Sequence, residues 1–160
     1  MPRTPFRVLF VCMGNICRSP AGENVFRHFV ESKGLQDVIE IDSAGTIGFH
    51  TGKLPDARMR KALARRNYPT GGAARQVVRA DIQNFDLILT MDDDNLRNVR
   101  EYVKDDSESA KVKRFVDYCE RFEDKEVPDP YYGGNGGFEH VLDLLEDGCE
   151  SLLEEIQQKL

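Results

Sequence analysis

Four short runs of apolar residues recur along the chain, each bounded by polar or glycine-containing segments. They cover residues 6–11, 38–41, 86–91 and 111–115. The first and third are almost continuously apolar, as expected for strands buried on both faces of a parallel sheet, whereas the second alternates apolar and polar residues. We predict a strand at each run. Residues 75–78 are a further short strand candidate.

Helical patterns separate these runs. The first, residues 20–33, has four apolar residues at helical spacing and stops before Gly34, a residue that commonly ends helices. Further helical segments are predicted at residues 55–66, 80–84, 92–103 and 138–156. The alternation of strands and helices predicts a three-layer α/β fold, with a four-stranded parallel sheet and helices on both of its faces.

Polar side chains follow several of the predicted strands. Cys12, Ser43 and Asp92 each come just after a predicted strand end. In parallel α/β sheets the binding crevice lies at the carboxyl ends of the strands. We therefore expect these three residues to lie on one rim of the sheet.

The loop that begins at Cys12 has the composition of an anion-binding site. Gly14 and Asn15 tolerate the unusual backbone angles that a tight loop requires. We predict that Ser19 caps the following helix, with Pro20 in its first turn. Backbone N–H groups of such a loop, together with the helix dipole, attract negative charge.

Two side chains in this loop suggest chemistry beyond binding. Arg18 offers a planar fork of donors that matches two oxygens of a phosphate. The positive field around the loop favours the thiolate form of Cys12. We interpret the segment as a phosphate-binding loop with a nucleophile at its floor. The alternative is that Cys12 is an ordinary buried residue and Arg18 is solvated.

Composition narrows the class of protein. A chain of 160 residues has the length of one ordinary domain, and we expect a single domain over residues 1–160. The net charge is −6 and no long basic run is present, so no nucleic-acid partner is expected. The apolar run 8–13 is too short for a signal peptide or a membrane span, so no membrane partner is expected. The four cysteines lack the spacing of a disulfide framework or a zinc site, which favours a cytoplasmic location and no metal.

A phosphate ester cleaved by a thiolate needs an acid to protonate the leaving oxygen. Asp129 stands between Pro128 and Pro130, which stiffen the backbone around its carboxyl group. We predict that Asp129 is this acid. The alternative is an ordinary Pro-Asp-Pro turn.

Together these residues resemble a low-molecular-weight protein tyrosine phosphatase. The resemblance covers nearly the whole chain and rests on segments 11–20, 43–46, 91–92 and 129–131. It implies a flavodoxin-like strand order and hydrolysis of phosphotyrosine and small aryl phosphates without a cofactor. By this resemblance, Cys12 would form a phosphocysteine, Arg18 would bind the phosphoryl group, and Asp129 would act as general acid and then as base. Phosphotyrosine-containing proteins would be substrates.

The resemblance also suggests supporting roles. Ser19 would donate to the Cys12 thiolate, and Phe49, Tyr131 and Tyr132 would wall an aromatic slot. A tyrosine kinase could act on Tyr131 or Tyr132. The residues expected to contribute to substrate binding are Met13, Gly14, Asn15, Ile16, Cys17, Ser19, Phe49, Tyr131 and Tyr132.

Ser43 and Asp92 are expected to support the loop, Ser43 through a network with Asn15. Family members often have a histidine in that network where this chain has Gly72. Either water fills that place or the loop is braced differently.

Two loop residues bear on specificity and redox chemistry. Ile16 resembles the tyrosine-directed members, since relatives specialised for phosphoarginine have threonine there. Cys17 is a candidate for a reversible disulfide with Cys12, and otherwise is a packing residue.

Two other functions fit the same loop. Arsenate reductases share this fold but relay a disulfide through closely spaced downstream cysteines, whereas Cys119 and Cys149 are far apart in sequence. A non-catalytic phosphotyrosine-binding module would need neither Cys12 nor Asp129.

Overall fold

In the computed structural model, which describes residues 4–131 and 135–160, four strands form one parallel sheet. The strands are β1 Phe6–Cys12, β2 Ile39–Gly45, β3 Leu87–Thr90 and β4 Val112–Arg114. Their order is β2-β1-β3-β4, and every neighbouring pair is parallel. This confirms the predicted parallel sheet with the order of a flavodoxin-like fold.

Helices cover both faces of this sheet. They are α1 Arg18–Ser32, α2 Ala57–Arg65, α3 Arg79–Asn84, α4 Asp93–Arg100, α5 Asp106–Ser109 and α6 Asn135–Lys159, with a 3₁₀ turn at Phe115–Tyr118. Because side chains alternate along β1, Val8 and Phe10 pack against α1, α2 and α6, whereas Leu9 and Val11 pack against α3 and α4. The predicted three-layer arrangement is therefore confirmed.

The first helix packs closely on the central strand. Val25, Phe26 and Val30 of α1 are buried, and the ring of Phe26 meets that of Phe10 edge-on with centroids 5.9 Å apart. The chain leaves α1 through Gly34, whose φ of +69° belongs to the left-handed region that glycine adopts readily. The predicted helix end is thus confirmed.

Strand β2 is longer than its apolar pattern predicted. It continues through Ser43 to Gly45, so Ser43 lies within the strand and not beyond it. The extension follows from pairing, because β1 offers a ladder over its full length and Phe10 lies opposite Ser43. Tertiary pairing here outweighs the low strand propensity of a polar segment.

Several other boundaries differ from the prediction. Residues 75–78 form no regular strand and make only a single bridge, between Gly45 and Gln76. The helix predicted at 92–103 ends at Arg100. The last strand ends at Arg114, because Phe115 begins the 3₁₀ turn that brings its ring beneath α6.

Candidate active site

The loop between β1 and α1 is held from several sides by backbone hydrogen bonds. Ile47 N donates to Met13 O at 3.1 Å, and Asp56 N donates to Ile16 O at 2.7 Å. Asn15 adopts a φ of +57°, the left-handed conformation predicted for this tight turn. The loop is therefore tied through its backbone to the segment between β2 and α2.

Cys12 lies at the floor of this loop, with 3% of its surface exposed. Its Sγ is 2.9 Å from Ser19 Oγ and 3.4 Å from Ser19 N. The predicted capping role of Ser19 is wrong, because α1 already begins at Arg18 and Cys17 occupies the N-cap position. Ser19 instead lies in the first turn of α1, where its N–H and hydroxyl both approach the sulfur.

Arg18 is buried and donates to two acceptors, one a carboxylate and one a backbone carbonyl. Its Nη1 donates to Asp92 Oδ2 at 2.6 Å and to Val127 O at 3.0 Å, and only 3% of its side chain is exposed. Burial alone would lower the pKa of Arg18, but the nearby Cys12 and Asp92 outweigh burial and raise it. The guanidinium is thus a permanent positive charge with its plane fixed by two acceptors.

Asp92 has a second function besides contacting Arg18. It is the N-cap of α4, where Oδ1 accepts from Asn95 N at 2.8 Å. The Asp92 carboxylate thus connects the end of β3 to Arg18, at the end of the loop. This geometry is consistent with the predicted supporting role of Asp92.

Asp129 faces the same guanidinium from the other side of the cavity. Its Oδ2 is 3.7 Å from Arg18 Nη2, and its Oδ1 accepts from Tyr131 N at 3.0 Å. Its side chain is 32% exposed, so the carboxyl group can be reached from solvent. The fold brings Cys12, Arg18 and Asp129 to one site, although Asp129 is far away in sequence.

These residues border a cavity of about 200 Å³. The other predicted residues that line it are Met13, Gly14, Ile16, Cys17, Phe49 and Tyr131. Phe49 is 78% exposed at the mouth, and its ring packs edge-on against His50. Ile47 and His50 also line the cavity. Neither was expected there from the sequence, because their loop has no distinctive motif.

Tyr131 lines the cavity, and its ring lies next to the guanidinium of Arg58. The guanidinium of Arg58 lies 5.3 Å from the centre of the Tyr131 ring and 4.8 Å from that of Phe138. The second predicted tyrosine, Tyr132, lies outside the described residues.

The side chains of Asn15 and Ser19 are buried and do not line the cavity. Asn15 Nδ2 donates to Ser19 Oγ at 2.8 Å and to Ser43 Oγ at 3.0 Å. Ser43 Oγ in turn donates to Glu23 Oε1 at 2.6 Å, a partner that the sequence analysis missed. The network next to Gly72 is therefore braced by a carboxylate from α1.

Cys17 lines the cavity but is 4% exposed. Burial, followed by the negative charge of Asp56, raises the pKa of the Cys17 thiol far above its usual range. All four cysteines are free in this structure. The proposed disulfide between Cys12 and Cys17 stays a prediction.

Within residues 4–131 and 135–160, no group of three or more His, Cys, Asp and Glu side chains is arranged to hold a metal ion. Over the same residues, no helix has the length and apolar character needed to cross a membrane.

Fold and loop together define an α/β protein with a cysteine at the floor of the loop that follows its first strand. The family model for low molecular weight phosphotyrosine protein phosphatase matches residues 7–160. A Synechocystis protein named among the low molecular weight protein-tyrosine-phosphatases is 51% identical over 154 residues, which cover 96% of this chain and 98% of that protein.

Solved structures agree with this match. A protein tyrosine phosphatase from Entamoeba histolytica, crystallised with Hepes in its active site, has a TM-score of 0.93 and 42% identity, covering 96% of this chain and 99% of that one. YfkJ from Bacillus subtilis has a TM-score of 0.91 and 41% identity, covering 99% of both chains. The chain belongs to the low molecular weight phosphotyrosine protein phosphatase family.

Proposed function

We propose that this protein hydrolyses phosphotyrosine in proteins through a phosphocysteine intermediate. The observation that carries the proposal is the convergence of Cys12 Sγ, the Arg18 guanidinium and the Asp129 carboxyl group on one small cavity. Binding alone would need the guanidinium and the loop, whereas a nucleophile and an acid opposite each other are what ester cleavage requires.

In the first step, the Cys12 thiolate attacks phosphorus. An S–P bond forms while the P–O bond to the tyrosine ring breaks, and Asp129 gives its proton to the departing oxygen. Arg18 contacts the phosphoryl oxygens, where negative charge must be stabilised in the transition state. Its two fixed acceptors keep the fork oriented before substrate arrives.

In the second step, the Asp129 carboxylate removes a proton from water. The water oxygen attacks phosphorus, the S–P bond breaks, and Cys12 leaves as a thiolate. The Ser19 hydroxyl stabilises this thiolate by donating a hydrogen bond to it. The net reaction consumes one water and produces tyrosine and inorganic phosphate. Apart from the substrate and this water, both steps use only groups of this chain.

The shape of the cavity supports an aromatic substrate. Phe49 and Tyr131 stand at its sides, and Ile16 adds apolar surface at the loop. We propose that the substrates carry their phosphate on a flat aromatic ring. The enzyme would be a single domain spanning residues 1–160 and would act in the cytoplasm. The assay described below compares phosphotyrosine with phosphoarginine peptides and so tests this substrate class directly.

Arsenate reduction on the same fold has no comparable support. Cys119 Sγ donates to Leu144 O at 3.4 Å, and Cys149 is fully buried among the residues of the α6 core. Neither cysteine lines the cavity. Thioredoxin oxidation that depends on arsenate would contradict the phosphatase proposal.

The test is an assay of the purified protein on matched phosphotyrosine, phosphoserine and phosphoarginine peptides in the presence of a metal chelator. We expect release of phosphate from the phosphotyrosine peptide, with Cys12→Ser losing turnover but still binding inorganic phosphate. Cys149→Ser, which changes a cysteine remote from the cavity, is the matched control. Full turnover by Cys12→Ser, or preference for phosphoarginine, would refute the proposal.

A further inference from the structure

The segment that carries Asp129 is attached to the rest of the site just before this residue. Val127 N donates to Met91 O at 2.7 Å, and Val127 O accepts from Arg18 Nη1 at 3.0 Å. Both bonds hold the backbone two residues before the carboxyl group. The position of that carboxyl group therefore also depends on how the chain is held after Asp129.

The Asp129 carboxyl group is oriented by Tyr131. Pro130, which lies between them, has no N–H, so the first backbone donor after Asp129 is Tyr131 N, which donates to Asp129 Oδ1 at 3.0 Å. The other oxygen, Oδ2, lies 3.7 Å from Arg18 Nη2, which is too long for a hydrogen bond. A contact that holds Tyr131 in place therefore also holds the carboxyl group of Asp129.

Arg58, in the first turn of α2, makes such a contact. Its guanidinium carbon lies 5.3 Å from the centre of the Tyr131 ring and 4.8 Å from the centre of the Phe138 ring. A guanidinium within about 6 Å of an aromatic face is attracted by the negative charge of that face. Phe138 is 2% exposed near the start of α6, so Arg58 joins the Tyr131 ring to a buried part of the fold.

Asp56 determines where the Arg58 guanidinium lies. Its Oδ1 accepts from Arg58 Nε and its Oδ2 accepts from Arg58 Nη2, both at 3.1 Å, and this paired geometry orients the plane of the guanidinium. The backbone N–H of Asp56 donates to Ile16 O at 2.7 Å, in the loop between β1 and α1. The cation next to Tyr131 is thus connected, through a single residue, to the loop that contains Cys12.

We propose that Arg58 is a positioning residue, which holds the Tyr131 ring and thereby keeps the Asp129 carboxyl group where it can protonate the leaving oxygen. This inference rests on the proposed function, because Asp129 is the acid of that reaction. Arg58 does not line the cavity, and 41% of its side chain is exposed, so its charge can be removed without opening the core.

Arg58→Met tests this role, because it keeps a long apolar side chain and removes the cation. We measure kcat/KM on phenyl phosphate, whose leaving oxygen needs the acid, and on p-nitrophenyl phosphate, whose leaving oxygen needs it little. We expect kcat/KM to fall about five- to tenfold on phenyl phosphate and less than about twofold on p-nitrophenyl phosphate. The inhibition constant of inorganic phosphate should change by less than about twofold, because Arg18 and the loop are untouched.

Arg65→Met is the matched control, since it makes the same change at the other end of α2, on a side chain that is 63% exposed. We expect it to leave kcat/KM on both esters unchanged. Arg58→Lys keeps a cation within reach of the ring and should recover most of the loss on phenyl phosphate. Arg58→Met added to Asp129→Asn should cause no further loss on phenyl phosphate, because the proton that Arg58 helps to place is already absent.

An equal loss on the two esters would overturn the inference, as would a loss no larger than that of Arg65→Met. A full further loss in the double variant, or no recovery in Arg58→Lys, would overturn it as well. If Arg58→Met does not fold, Arg58→Gln, which can still donate to Asp56, is judged by the same comparison. Failure of the wild-type protein to hydrolyse either ester would refute the proposed function together with the inference, whereas an active wild type with the same substrate dependence as Arg58→Met would refute the inference alone.

Discussion

The acid role of Asp129 makes a prediction about leaving groups. Asp129→Asn keeps the size of the side chain and the oxygen that accepts from Tyr131 N, so the loop should keep its shape. It removes the transferable proton. The loss should therefore depend on how strongly the departing oxygen needs protonation, and not on how tightly the phosphate is bound.

General acid catalysis contributes roughly 10²- to 10⁴-fold. The Asp129 side chain is 32% exposed, so water can partly replace its proton, and we expect the lower part of that range. For phenyl phosphate we predict a fall in kcat/KM, which reports the first step alone, of about 10²- to 10³-fold. For p-nitrophenyl phosphate, whose leaving group is stable as an anion, the fall in kcat/KM should be about tenfold or less.

The assay compares kcat/KM for a series of substituted phenyl phosphates in the wild-type protein and in Asp129→Asn, because kcat also contains the second step, in which Asp129 acts as base. The dependence of log kcat/KM on leaving-group basicity should be weak in the wild type and steep in the variant. Asp124→Asn serves as control, because that nearby carboxylate contacts His140 at 2.8 Å and does not line the cavity. An equal loss on every substrate would refute the acid role and point to a binding role.

Two predictions concern the fold around α6. In Gly148→Ala, the new Cβ would lie 2.4 Å from Cζ of the buried Phe115 ring. We therefore expect the free energy of unfolding, measured with urea, to fall by about 1–3 kcal/mol. Adding Phe115→Leu should restore part of this loss. Asp147 is buried, which alone would raise its pKa, but backbone N–H donors of residues 120–122 outweigh burial and lower it. Its folded pKa is thus below the unfolded value of about 3.9, so this stabilisation is present above pH 4 and is lost as pH falls through the folded pKa. Asp147→Asn should therefore unfold more easily than wild type at pH 7, by about 1–3 kcal/mol, with the difference shrinking toward pH 3.

Each of these has a clear contrary result. Unchanged stability in Gly148→Ala would mean that the ring of Phe115 moves aside at little cost. No recovery in the double variant would mean that the loss does not come from the contact with that ring. A stability difference between Asp147→Asn and wild type that stays constant from pH 7 to pH 3 would mean that the backbone donors do not favour the ionised carboxylate.

The sequence by itself determined the parts of this protein that depend on neighbours along the chain. The loop from Cys12 to Arg18 could be predicted because strand, turn and helix start are contiguous, so spacing alone brings sulfur and guanidinium together. The alternation of apolar runs and helical segments likewise determined the parallel sheet. Asp129 was found only because the loop had already indicated which chemistry was missing.

Tertiary structure decided what depends on residues that meet across the fold. Strand β2 extends to Gly45 because it pairs with β1 along its whole length. The polar residues at the end of β2 do not predict this extension. Ser19 was expected both to cap α1 and, by the resemblance, to contact Cys12; only the contact with Cys12 is found, since α1 begins at Arg18 and not at Pro20. Glu23 and Asp92 reach the loop from other elements, and their places follow from the packing of α1 against β2 and from the end of β3. No local sequence pattern predicts these contacts, because they form only when the helices and strands have packed together.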